Sequence, residues 1–174
     1  METLNKVTPK TKQELRTIIE RELKRQGTDA DLNFIDTSKI TDMSYLFYGL
    51  NIGKIKIDKW DVSNVTKMEG MFEGCYKFNA DLSNWNVSNV TTMSYMFSNA
   101  ESFNGDISKW NVSKVEYMNC MFRRAYMFDS DLSKWDFSNV IGMCGIFHEA
   151  KTFIKNISKC NMIVLLNLCD IFQD

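Results

Sequence analysis

Apolar residues recur along this chain on a fixed beat. Trp60, Trp85, Trp110 and Trp135 stand 25 residues apart, and Cys160 takes the next place in the series. A period between roughly 20 and 50 residues marks a tandem array in which each copy is one supersecondary unit. Cut after each tryptophan, the copies run 61–85, 86–110, 111–135 and 136–160, with a degenerate copy before them at 36–60 and a truncated one after them at 161–174. Only residues 1–35 stand outside the pattern.

Within a copy the apolar positions follow two rhythms. Val90, Met93, Met96, Phe97 and Ala100 succeed one another at steps of three and four, which predicts a short helix with one buried face. Leu82, Trp85 and Val87 predict a short strand on which Trp85 and Val87 point to the same side. Each copy therefore reads as strand, short helix and return loop. One such unit cannot bury its apolar face alone, whereas stacked copies share a continuous core. Ser38, Ser63, Ser88, Ser113 and Ser138 precede the helical stretches, where a hydroxyl can accept from free N–H groups of a first turn. Phe78, Phe103, Phe128 and Phe153 are expected to fill the corner between helix and strand.

The same parity turns the neighbours of each tryptophan outward. Lys59, Asn84, Lys109 and Lys134 form one row, and Asp61, Asn86, Asn111 and Asp136 form the next. Parallel strands usually have both faces covered, so a face this polar meets either water or a partner. These eight residues are the candidate partner-binding surface.

The two ends differ from the middle. Residues 11–26 predict an amphipathic helix with Leu15, Ile18, Ile19 and Leu23 on one face, a Thr11-to-Glu14 capping box and Gly27 as its stop. Residues 1–35 are thus expected to form an amino-terminal cap over a repeat domain at 36–174. At the other end, Ile163 and Leu166 replace a serine and a threonine of earlier copies, and extra apolar groups there imply a second buried face. Burial against another copy of the chain would make residues 161–174 the contact of a homodimer.

Composition narrows the chemistry. With 21 basic against 22 acidic side chains, the chain lacks the basic footprint of a nucleic-acid binder. No stretch approaches the ~20 consecutive apolar residues of a membrane span. The opening residues carry no apolar signal region, and five cysteines are an odd number for a disulfide framework, so the expectation is a cytoplasmic protein with reduced thiols. The lone histidine, His148, shares its repeat position with Glu73, Ser98 and Arg123, which reads as a tolerant, solvated column rather than a catalytic one. No nucleotide-binding or zinc motif occurs, so no enzyme activity, cofactor or metal is expected. Cys144 and Cys169 share a repeat position but are expected to remain thiols, because neighbouring helices would hold them too far apart for a disulfide. Asp81, Asp106 and Asp131 line up like calcium ligands, yet bonding to N–H groups of their own turns is the simpler account. The tryptophans could instead form a sugar-stacking platform, which keeps a carbohydrate-binding module as an alternative.

The phrase W-[DN]-V-S-N-V-T-x-M-x-x-M-F followed by F-N-x-[DN]-[LI]-S-x-W resembles the bacterial surface-protein repeat family, the BspA-like leucine-rich-repeat lipoproteins. The likeness covers about residues 36–172, and the leading TPKTKQEL…DTSKITDMSYLF is similar to the family's amino-terminal cap. The resemblance implies an α/β solenoid, a leucine-rich-repeat-like right-handed coil of strand-and-helix units. It also implies a non-enzymatic scaffold for protein–protein interaction at a bacterial surface. An intracellular scaffold or inhibitor is the alternative.

Overall fold

In a computed structural model, residues 6–154 are described. The candidates Ile163 and Leu166, the proposed dimer contact, and Cys160 and Cys169 lie outside them.

Helix α1, Lys12–Gln26, begins where Thr11 accepts from the Glu14 N–H and ends at Gly27, whose positive φ of 84° closes the last turn. It buries Leu15 and Ile19. A second helix, α2, spans only Lys151–Ile154. Between them, among the described residues, there is neither helix nor extended strand; pairing is limited to isolated parallel bridges such as Asp42↔Lys67, Lys67↔Thr92, Thr92↔Tyr117 and Tyr117↔Gly142. The α/β solenoid of strand-and-helix units is therefore corrected: the copies are chains of linked turns.

The copy at 86–110 shows why. Met96 N–H closes onto Met93 O, Ser98 onto Tyr95 O and Ala100 onto Phe97 O, each a three-residue return. Tyr95 and Asn99 sit at φ 60° and 57°, the third position of the first and last of these turns, as a type II turn requires. A left-handed residue every fourth position prevents the run of right-handed residues that a helix needs. The freed N–H groups go to the next copy: Met93 to Tyr117 O, Tyr95 to Asn119 O, Phe97 to Met121 O and Asn99 to Arg123 O, at 2.7–2.9 Å. The same ladder links every pair of neighbouring copies from Met43 to His148. Placing Tyr or Cys at positive φ costs on the order of 1–2 kcal/mol per residue, and the ladder bonds offset it.

The three- and four-residue spacing is nonetheless realised as burial. Val90, Met93, Met96, Phe97 and Ala100 are all fully buried. Three aromatic columns run through the stack. Phe47, Phe72, Phe97, Phe122 and Phe147 lie with ring centres 5.2–5.7 Å apart. Phe78, Phe103, Phe128 and Phe153 follow at 5.4–6.0 Å. The tryptophans form the third; Trp85, Trp110 and Trp135 each donate an indole N–H to a carbonyl of the preceding copy, Ile57 O, Leu82 O and Ile107 O, and Trp60 donates to Leu32 O of the amino-terminal segment. Such ring pairs add about 0.5–1.5 kcal/mol each beyond area burial.

The serines do not cap helices. Ser63, Ser88, Ser113 and Ser138 donate their N–H to Asp61, Asn86, Asn111 and Asp136, two residues back, as in Asx turns. A second set of such turns joins Ser83, Ser108 and Ser133 to Asp81, Asp106 and Asp131, so those carboxylates do bond N–H groups of their own turns.

The amino-terminal end of the ladder is closed by one side chain. Within this ladder the N–H groups point toward the following copy, although other positions such as Thr66 and Thr91 donate the opposite way, to Thr41 O and Thr66 O. The first copy's ladder carbonyls therefore face away from the stack with no earlier copy to meet them. Arg16 of α1 donates to Leu46 O at 2.6 Å and to Tyr48 O at 3.2 Å. In later copies the corresponding carbonyls, Met71 O and Glu73's successor Ser98 O, accept from Phe47 and Gly74 N–H. The guanidinium thus stands in for the N–H groups of a missing copy, and Glu20 holds it from the other side at 2.6 Å.

Candidate functional site

The eight candidate residues are all exposed. They flank the tryptophans on turns, not on a sheet face, so that part of the expectation is corrected. Their outward direction was nevertheless right: Leu82, Trp85 and Val87 are buried while Asn84 and Asn86 face solvent. Asp61, Asn86, Asn111 and Asp136 each commit one side-chain oxygen to their own turn. The hydroxyl and N–H of Ser138 hold the Asp136 carboxyl below its ordinary range. Lys59, Lys109 and Lys134 enter no ion pair within 4.0 Å among the described residues. At the first copy the structure gathers two row members into a concave site. There Lys59 and Asp61 share a cavity of about 340 Å³ with Asn33, Lys6 and Asp36. Asp36 is pulled down to about 2 by the Ser38 hydroxyl and by Lys6, 3.0 Å away.

The tryptophans offer no platform to a sugar ring. They are 3–6 % exposed and their indole nitrogens are committed to carbonyls. No group of three or more His, Cys, Asp or Glu side chains is placed to hold a metal among the described residues. No described helix is long and apolar enough to cross a membrane. Cys75 is a buried thiol that burial pushes up to about 12, and its sulfur lies 3.3 Å from Phe47 O.

The column of His148 is not the solvated one that its mixed composition suggested. Ser98 is 1 % exposed and the His148 side chain 15 %. Tyr48 and Glu73 belong to this column, and they border a second cavity, of about 370 Å³, with Gly49, Gly74, Tyr76 and Lys77. The cavity opens between the first two copies, where Gly49 and Gly74 take φ 73° and 70° and no atom lies within 4 Å of where a Cβ would stand. Tyr76 is 60 % exposed and Tyr48 is 54 % exposed, with its edge against Tyr45 at 6.0 Å between centroids. The Glu73 carboxyl makes no hydrogen bond or ion pair among the described residues; burial, followed by repulsion from Glu69, raises its pKa against a smaller attraction from Arg123. Sequence reasoning passed over Glu73 because it took the His148 column to be solvated, and it gave Tyr48 and Tyr76 no role.

Fold and surface define a tandem-repeat protein in which turn-built copies stack around aromatic columns and present variable side chains at the rim. The chain belongs to the family described as Mycoplasma protein of unknown function, DUF285, whose matches cover residues 17–129 and 83–174. No curated protein and no solved structure matches it.

Proposed function

We propose that this chain is a non-enzymatic scaffold for protein–protein interaction, of the BspA-like bacterial surface type, and that its partner meets the two rows beside the tryptophans. One observation carries the reading: the eight side chains are exposed at a constant sequence interval, with the Lys59, Lys109 and Lys134 ammonium groups in no ion pair among the described residues. Stacked-repeat proteins commonly bind along such extended surfaces. Because the backbone beneath is committed to turns, the rows hold their spacing without help from a ligand.

The test uses the full-length protein and the partner it captures. Reversing Lys109 and Lys134 to glutamate should leave stability within about 1 kcal/mol, since exposed substitutions rarely exceed that. It should weaken the captured partner by about tenfold or more, equivalent to about 1.4 kcal/mol. Unchanged affinity in the double variant would move the contact away from these rows.

A further inference from the structure

The cavity between the first two repeat copies combines features that the interaction surface does not use. Two tyrosine rings and one carboxylate border a space of about 370 Å³, large enough for a small ligand group. The carboxylate is Glu73, partly buried and without a hydrogen bond or ion pair among the described residues. A carboxylate partly withdrawn from water, with Arg123 attracting it but neither hydrogen-bonded nor ion-paired to it among the described residues, favours a closer cation beside it. Aromatic faces add attraction for ammonium groups within about 6 Å of the ring centre.

The chain itself shows this chemistry two copies later. Tyr126 occupies the repeat position of Tyr76, and the Lys151 ammonium lies 4.9 Å from its ring centroid. Beside Tyr76 the position corresponding to Lys151 is held by Glu101, and no cation–ring contact to Tyr76 occurs among the described residues. The pairing that one part of the stack completes internally is left incomplete in another. Among the described residues that border the cavity Lys77 is the one cation, and it forms no ion pair with Glu73, on which the Arg123 guanidinium also acts from outside that lining.

We propose that this cavity binds an alkylammonium group, held between Tyr48 and Tyr76 with Glu73 as its counter-ion. A lysine side chain of a protein and a free small amine share that chemistry. The experiment separates them by titrating the ¹⁵N-labelled full chain with Nα-acetyl-lysine methylamide, with n-butylammonium, and with the Nε-acetylated, neutral form of the lysine compound. Saturable shifts of the Gly49, Gly74 and Tyr76 amides are expected with either ammonium and not with the neutral compound. Tighter binding of the lysine compound assigns the site to a protein side chain, and tighter binding of butylammonium to a free amine.

Glu73→Gln should weaken binding about tenfold or more with the other amide positions unchanged. Tyr76→Ala, an exposed substitution, should weaken it while the rest of the spectrum shows the fold retained. Equal shifts with the neutral compound, no shifts at all, or insensitivity to Glu73→Gln would overturn the proposal. Shifts that emerge only in Lys77→Ala would overturn it too, since Lys77 would then be the resident cation.

Discussion

Two adjacent columns of the stack follow opposite rules. Phe47, Phe72, Phe97, Phe122 and Phe147 repeat one residue five times, whereas the very next column, Tyr48, Glu73, Ser98, Arg123 and His148, never repeats one. All five phenylalanines are fully buried, and Phe72, Phe97 and Phe122 each lie between the rings of two column neighbours. A side chain of another shape there would disturb the copies on both sides, because close-packed interiors transmit misfit. The neighbouring column ranges from the exposed Tyr48 to the buried Ser98, and each residue in it answers mainly to local surroundings. Architecture in this protein is therefore written in the residues that recur, and any particular chemistry must be sought where the copies differ.

The strongest way to break that contrast is to remove a recurring residue. Trp110 is buried between copies, stacks on Trp135 at 6.4 Å and donates to Leu82 O. Trp110→Ala should cost about 3–5 kcal/mol, the range for deleting a buried aromatic, read from the midpoint of chemical denaturation with an unchanged slope. A loss below about 1 kcal/mol, the scale of a surface change, would mean that the aromatic columns do not carry the stack.

A smaller effect sharpens the contrast at the end of the array, where one side chain replaces a whole copy. Arg16→Ala removes the donor to the part-buried Leu46 O and the exposed Tyr48 O and should cost about 1 kcal/mol, the net worth of a typical hydrogen bond. Lys24→Ala on the exposed side of α1 should change stability by less than about 0.5 kcal/mol. Equal effects of the two would remove the special role of the guanidinium.

How much of this was legible in the sequence divides along the same line. The repeat, helix α1 with its Thr11 and Gly27 boundaries, and the inward tryptophans could all be read from spacing and residue type. The backbone of the copies could not. Val90, Met93, Met96, Phe97 and Ala100 have helical spacing and are buried as a helix would bury them, but linked turns achieve the same burial. A signal was present in Gly70 and Gly145 at one repeat position and Gly49, Gly74 and Asn99 at another. Tyr95, Cys120 and Arg124 at equivalent sites masked it, because those residues ordinarily avoid positive φ. The serines misled similarly, since the turn chemistry of Asx-x-Ser resembles the start of a helix until the following hydrogen bonds are known. Arg16 is one charged residue among several on α1, and its task emerges only from the ladder carbonyls Leu46 O and Tyr48 O that it meets. Tyr48, Glu73 and Tyr76 come from two columns and meet only through the stacking of copies.

Turn-built copies joined by a ladder can be checked through the hydrogen bonds themselves. Scalar couplings across hydrogen bonds link an amide ¹⁵N to the carbonyl ¹³C that accepts from it. The expected pairs are Met93 with Tyr117, Tyr95 with Asn119, Phe97 with Met121 and Asn99 with Arg123. A helix in each copy would instead couple Phe97 to Met93 and Asn99 to Tyr95, four residues back. Observation of the first set establishes the ladder, and observation of the second contradicts it.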